Sequence, residues 1–320
     1  MASRENRRTA GRSSDPSDLE NRPTAPDVLI HLHIAKTGGT SLSSMVKHGF
    51  ASDEVFEWTR HGVEKYSGLG LATYDACQQQ LRDFGLERIR YIAGHVPMGV
   101  HRLFDRPTKY ITVLRNPIER IISLFYFMME IKAPFLSNGR PVSFEEYVES
   151  RFDIHLHDYQ ARVLSGCSEL DPPAPEPGEM VPAAAVERRH LEAAKRNIDE
   201  HFLAIAPVEQ MTELALVVRR IYAWPMRRLQ NEYKNPTKER PHAMDISLRL
   251  MKIIEDCNSH DMELYEWVGK RFAEQRRLFE PELSRDLRIY GIVNRALNSV
   301  GEVLPWGMRK RLAEILFYAR

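Results

Sequence analysis

Residues 28–34, VLIHLHI, form a β-rich run that passes directly into Lys36-Thr37-Gly38-Gly39-Thr40-Ser41 and then into a helical pattern over Leu42 to His48. A strand, a tight glycine-bearing loop and a helix in immediate succession restrict the fold more than any bulk property of the chain does. A second unit of this kind starts at Tyr110. The run YITVLR is apolar and β-branched, Asn116-Pro117 marks a turn and helix start, and Ile118 to Glu130 is strongly apolar. Arg90 to Val96 (RYIAGHV) predicts a third, short strand ending near Gly94-His95, and His201 to Ala206 (HFLAIA) predicts a fourth, ahead of a helical pattern from Glu209 to Tyr222. Strands alternating with helices imply an α/β fold: a parallel sheet covered on both faces, with ligands at the carboxyl ends of its strands.

With 320 residues and 43% hydrophobic content, the chain can bury one sizeable core, and a single domain with appendages is expected. Forty-five Lys and Arg against 44 Asp and Glu leave a formal charge of +1, which provides no global field for nucleic acid; an anion site has to be built locally. Cys77, Cys167 and Cys257 are widely spaced and form no CxxC pair, so neither a zinc site nor a dithiol centre is expected. Residues 1–26 are rich in Arg, Ser, Asp, Glu and Pro and lack the apolar stretch of a signal peptide or anchor. They are expected to be disordered and the protein cytoplasmic. The main folded domain is then expected over residues 27–284. Asp171 to Pro182, with five prolines, is expected to be a surface loop within it. The tail 285–320 carries seven basic and three acidic residues among Leu, Ile, Val, Trp306 and Phe317. That pattern fits a helix docking on the domain or a second subunit, or an amphipathic helix making peripheral contact with a membrane.

The loop after the first predicted strand is an anion site by construction. Backbone N–H groups at a helix start converge on one point, and the helix dipole adds positive potential there. Gly38 and Gly39 permit close approach of a ligand, Thr40 and Ser41 supply hydroxyls, and Lys36 supplies a full charge. An ordinary βα turn with glycines for geometry is the plainer reading of the same residues. A nucleoside-triphosphate loop fits poorly, because in GxxxxGK[ST] the lysine follows the second glycine, whereas Lys36 precedes both. In the second unit, Arg115 at a strand end can hold a phosphate bidentately, and Ser123, about two helical turns on, can donate a hydroxyl. The plainer reading pairs Arg115 with Glu119, leaves Arg120 as a solvated helix residue and makes Ser123 packing. His95, at the end of the third strand, can serve as a base with near-neutral pKa in the same crevice. His31 and His33 lie before the loop and read as structural.

The string HIAKTGGTSL resembles the 5′-phosphosulfate loop of sulfotransferases that use 3′-phosphoadenosine 5′-phosphosulfate (PAPS), with Ala35 in place of the usual proline. LRNPIERIISLFY resembles the 3′-phosphate motif of the same superfamily, with Asn116 in place of the usual aspartate. AGHV is similar to the segment of heparan sulfate and uronosyl 2-O-sulfotransferases that holds the proposed catalytic histidine; Ala93 stands where that branch often has a second histidine. Asp158 to Gly166 (DYQARVLSG) is similar to a segment of bacterial carbohydrate sulfotransferases, and Ala194 to Gln210 is similar to the helix and late strand of the 2-O-sulfotransferases.

The resemblance implies a P-loop-like PAPS sulfotransferase fold; no metal is expected, because the sequence shows no ligand cluster. The resemblance also implies a donor held by Lys36, Thr37, Gly38, Gly39, Thr40, Ser41, Arg115 and Ser123, with His95 and Lys36 catalytic, and a carbohydrate or glycolipid acceptor. The basic stretch Asn231 to Pro241 is then a candidate to close over the nucleotide, or a solvated loop. A kinase-like phosphotransferase and a non-catalytic nucleotide-binding protein are the competing readings. The first requires a magnesium-holding carboxylate at a strand end, and no hydrophobic run ends in Asp in that way.

Overall fold

The computed structural model describes residues 20–58, 74–137, 139–167, 170, 180–182, 184–226, 229 and 246–301. Most of the Pro-rich segment 171–182, the basic stretch 231–241, the first 19 residues and the end of the tail, with Trp306 and Phe317, lie outside them.

Among the described residues, five strands make one sheet: β1 (Val28–Leu32), β2 (Val55–Glu57), β3 (Tyr91–Gly94), β4 (Thr108–Leu114) and, after a small hairpin of β5 (Leu136–Ser137) and β6 (Arg140–Pro141), β7 (Phe202–Pro207). Their spatial order is β2-β3-β1-β4-β7, and every pairing is parallel. The four strands predicted from the sequence are present. The fifth, β2, is a three-residue edge strand too short to show an alternation pattern.

The helices are α1 (Gly39–Val46), α2 (Tyr74–Phe84), α3 (Pro117–Glu130), α4 (Phe144–Ser150), α5 (Tyr159–Ser165), α6 (Arg188–His201), α7 (Met211–Ile221), α8 (Leu248–Cys257), α9 (Ser259–Arg277) and α10 (Glu282–Gly301). Alternate residues of the strands feed two cores, as a sheet buried on both faces requires. Val28, Ile30 and Leu32 pack with α2, α3, α5, α6 and α8 on one face. Leu29, Ala93, Ile111 and Val113 pack with α1, α7 and the buried side of α10 on the other.

The chain leaves β1 towards β3 on one side, while β4 lies on the other side of β1 and leads on to β7. The switch of direction therefore falls between β1 and β4, which opens a crevice above their carboxyl ends. Thr112 Oγ1 donates to the Leu32 carbonyl at 2.6 Å and ties the two strands just below that crevice.

Glu20 to Pro26, expected from composition to be disordered, lies against the fold. The Arg22 guanidinium sits 5.0 Å from the Phe279 ring centroid, donates to the Leu278 carbonyl at 2.6 Å and pairs with Glu282 at 3.0 Å, while Tyr222 Oη donates to the Pro26 carbonyl. A planar cation on an aromatic face with a carboxylate partner anchors even a polar segment. The start of α10 is likewise docked: Leu283 and Tyr290 are buried, and Asp286 pairs with Arg219 and Arg220 of α7.

Helix α3 starts beside the crevice. Pro117 occupies its first turn, and Asn116 Oδ1 accepts from the Ile118 and Glu119 amides at 3.0 and 3.4 Å, so Asn116 caps the helix as an aspartate would. Asn116→Ala is expected to lower the unfolding free energy in urea by about 1 kcal/mol, and Asn116→Asp to leave it unchanged or raise it. Equal losses in both variants would contradict the capping role.

Candidate functional site

The loop from Ile34 to Gly39 runs from the end of β1 into α1. Thr37 is fully buried, and its hydroxyl donates to the Ile34 carbonyl at 2.9 Å, stapling the turn. Lys36 takes φ 65° and Gly38 φ 91°, two left-handed residues that reverse the chain in the space of three. Gly39 answers to a different demand: a Cβ there would lie 2.1 Å from His33 Cδ2, so the helix start can pass the histidine only if the residue is glycine.

Helix α1 begins with Gly38 at its cap. No side-chain cap bond and no acidic residue occupy its first turn, whereas α3 is capped by Asn116 and α4 by Ser143. The amides of α1 therefore point at a position that favours an anion. Thr40 is exposed and Ser41 half-buried beside it. The Lys36 ammonium lies over the Phe127 ring of α3, 3.6 Å from its centroid, which brings the lysine across the crevice towards the second unit.

Arg115 stands at the end of β4. Its guanidinium donates to the Lys36 carbonyl at 3.4 Å and to Glu119 Oε2 at 3.2 Å. The pairing with Glu119 is thus present, and the same side chain also bridges the ends of β1 and β4. Ser123 follows two turns along α3 but is only 4% exposed, so Arg115 is the residue of the second motif that presents its side chain at the strand edge. Arg120 is no solvated residue. It is fully buried, donates to the His155 carbonyl and lies 5.0 Å from the Tyr159 ring centroid; burial pushes its pKa down, against the nearby Asp261 charge.

His95 follows β3 at the same edge. Its Nδ1 lies 2.7 Å from the His33 carbonyl oxygen. A carbonyl can only accept, so in the neutral ring Nδ1 carries the proton and Nε2 carries the lone pair. The His95 ring stacks on His33 with centroids 4.4 Å apart and planes inclined by 16°, and His33 stacks on His31 at 5.6 Å. Burial lowers the pKa of His95 below the ordinary imidazole value, and the bond to the His33 carbonyl opposes that shift. His33 is held well below its usual range by burial and by the charges of His95, His31 and Lys36. Burial and His95 push His31 down to about 3; it is fully buried on the sheet face, with neither ring nitrogen hydrogen-bonded. His31 and His33 are thus the neutral bed on which His95 rests.

Two contributors escaped the sequence reading, Phe127 beneath Lys36 and Gln160 behind Arg115. Gln160, in α5, accepts from the Arg115 amide at 2.9 Å and donates to the Arg115 carbonyl at 2.9 Å. The only trace of Gln160 in the sequence was its place in the DYQARVLSG segment. Among the described residues, no three His, Cys, Asp or Glu side chains gather as a metal-binding group.

The donor set fits a ligand with two separated anionic groups. One end is served by the uncapped helix start and Lys36, the other by Arg115, with a neutral imidazole beside them. Residues 26–167, the segment that builds all of these groups, match the family model of the sulfotransferase domain. The chain is 21% identical over 193 residues to uronyl 2-sulfotransferase of Homo sapiens, across 55% of this chain and 45% of that protein. It is 21% identical over 191 residues to the uronyl 2-sulfotransferase of Mus musculus, across 54% and 44%. The chain thus spans under half the length of these relatives, and its residues 26–167 are similar to a sulfotransferase domain.

The tautomer and the lowered pKa of His95 are open to direct measurement. In nitrogen-15 NMR of the imidazoles, His95 is expected to show a protonated Nδ1 and a bare Nε2 at pH 7. It should take up its second proton only below the ordinary value of 6.5. A midpoint at or above that value, or a proton on Nε2 in the neutral form, would contradict the geometry described.

Proposed function

We propose that this sulfotransferase-domain protein transfers a sulfuryl group from PAPS to a hydroxyl of a carbohydrate or glycolipid, with His95 as the base. The observation that carries this reading is the arrangement of three strand ends: Lys36 and the open amides of α1 after β1, Arg115 after β4, and the lone pair of His95 Nε2 after β3. When bound, PAPS supplies a sulfuryl group already activated by its bond to a phosphate.

The residues of this chain divide the remaining work. The amides of Gly39 and Thr40 and the Lys36 ammonium would hold the 5′ end and stabilise the charge that gathers on the departing phosphate oxygen as its bond to sulfur breaks. Arg115 would hold the 3′-phosphate, with the Ser123 hydroxyl beneath it. His95 Nε2 would take the proton of the acceptor hydroxyl as that oxygen bonds to sulfur. The His33 carbonyl would then strengthen its bond to Nδ1–H as the ring becomes an imidazolium. Positioning and electrostatics carry the catalysis in this scheme, as they do in phosphoryl transfer. Against the phosphotransferase alternative, β3, the strand beside β1, ends at Gly94 and is followed by His95 rather than by a carboxylate. The uronyl sulfotransferase relatives favour a sugar as acceptor.

A transfer assay with sulfur-labelled PAPS and a panel of glycan and glycolipid acceptors tests the proposal. His95→Ala is expected to lose at least about 10²-fold in turnover while keeping its affinity for adenosine 3′,5′-bisphosphate, because general-base catalysis contributes on that scale. Lys36→Ala should lose both turnover and affinity. In the active protein kcat/KM should fall on the acid side only below pH 6.5, as His95 becomes charged. Unchanged turnover in His95→Ala would remove the histidine from the mechanism.

A further inference from the structure

Arg115 is held from behind by a chain of buried hydrogen bonds that begins in α9, outside the segment matched to the sulfotransferase family. Gln160 is fully buried and bonds both the N–H and the carbonyl of Arg115, as a neighbouring strand residue would. Gln160 is fixed in turn by Asp261, whose Oδ2 accepts from the Gln160 amide at 3.0 Å and from its Nε2 at 3.3 Å, while Oδ1 accepts from the Ala161 amide at 2.7 Å. Asp261 thereby caps the first turn of α5. Asp158 returns the favour: its Oδ1 accepts from the Asp261 amide at 2.8 Å and its Oδ2 bonds His260 at 3.0 Å, which caps the first turn of α9. The buried Asn258 closes the loop by accepting from the Asp158 amide at 3.2 Å and donating to the Leu156 carbonyl at 2.7 Å.

A network buried to this extent costs stability if any member is left unpaired, and simple helix capping needs only the two aspartates. Gln160 adds something capping does not require, because its amide group spends a donor and an acceptor on one backbone unit at the end of β4. That unit carries the guanidinium that also reaches the Lys36 carbonyl and Glu119. An arginine that reads a phosphate through a planar fork loses affinity when its backbone shifts by a fraction of an ångström, since both bonds depend on one orientation.

We propose that Gln160, fixed by Asp261, is a positioning residue that sets the orientation of Arg115 towards the 3′-phosphate, so that α5 and α9 govern how well the site distinguishes a bisphosphate from a monophosphate. The inference rests on the assignment of Arg115 made above. Calorimetry with adenosine 3′,5′-bisphosphate and with adenosine 5′-monophosphate reads it directly, because only the first ligand engages Arg115.

Wild-type protein should prefer the bisphosphate, and Arg115→Ala should lose most of that preference. Gln160→Met, which keeps side-chain length and burial, should lower the preference by about 10-fold while the affinity for the monophosphate stays within about twofold; tenfold corresponds to about 1.4 kcal/mol. In the Arg115→Ala background, Gln160→Met should have no further effect. In turnover, KM for the donor should rise with kcat held. Should Gln160→Met fail to fold, Asp261→Asn, which keeps an oxygen for the Ala161 amide and turns a donor towards Gln160, should lower the same ratio. If Arg115→Ala loses the preference and the positioning variant keeps it, or weakens both nucleotides equally, the positioning role is overturned alone. If Arg115→Ala retains the preference, the assignment of Arg115 falls and takes the positioning role with it.

Discussion

The parallel pairing of β1 with β4 is the constraint on which the rest of the candidate site depends. Because the chain departs in opposite directions from these two neighbours, their carboxyl ends are left uncovered by the connections that follow them. Each end therefore has room for a loop that faces a ligand rather than a core. Thr112 fastens the strands together below the crevice and Arg115 bridges them above it, so the two loops are held in one frame. Had the two loops followed strands on opposite edges of the sheet, the same residues would have made two unrelated anion sites.

The chemistry of the crevice follows from how it is walled. Positive character comes from a helix start with no capping side chain, a lysine resting on an aromatic face and an arginine at a strand edge, which is a local field in a chain whose formal charge is +1. His95 is kept neutral by desolvation among two further imidazoles stacked beside it, while a carbonyl on Nδ1 fixes its tautomer. Three adjacent histidines in water would all charge near the same pH; packed this closely, each disfavours a proton on the others. The price is His31, buried with both nitrogens unpaired, on a strand that is otherwise a continuous apolar run.

The parts of this arrangement that were legible in the sequence are those written in consecutive residues. Strand, turn and helix follow one another without interruption in 28–48, with a glycine turn, and in 110–130, with an Asn-Pro turn, so the sheet class, the two strand-to-helix loops and the histidine after β3 could be read from local pattern and resemblance. Contacts between distant residues were not legible. Phe127 is one of three consecutive aromatic residues in α3, and nothing in its spacing marks it as the platform for Lys36. Gln160 lies 45 residues from Arg115 and 101 from Asp261, and a buried amide cannot be told from an exposed one by its letter. Arg120 reads as a solvated helix cation and is instead interred, because α3 is apolar on more of its circumference than a surface helix would be. Residues 20–26 read as part of a polar disordered segment, yet Arg22, with an aromatic, a carboxylate and a carbonyl partner, and the Tyr222 bond to Pro26 dock them.

The account comes down to whether one nucleotide lies across β1 and β4. A crystal structure of the protein with adenosine 3′,5′-bisphosphate measures this most directly. The account requires the 5′-phosphate against Lys36 and the first amides of α1, and the 3′-phosphate within bonding distance of the Arg115 guanidinium. Density for the nucleotide elsewhere on the molecule, or with its two phosphates away from both strand ends, would contradict it.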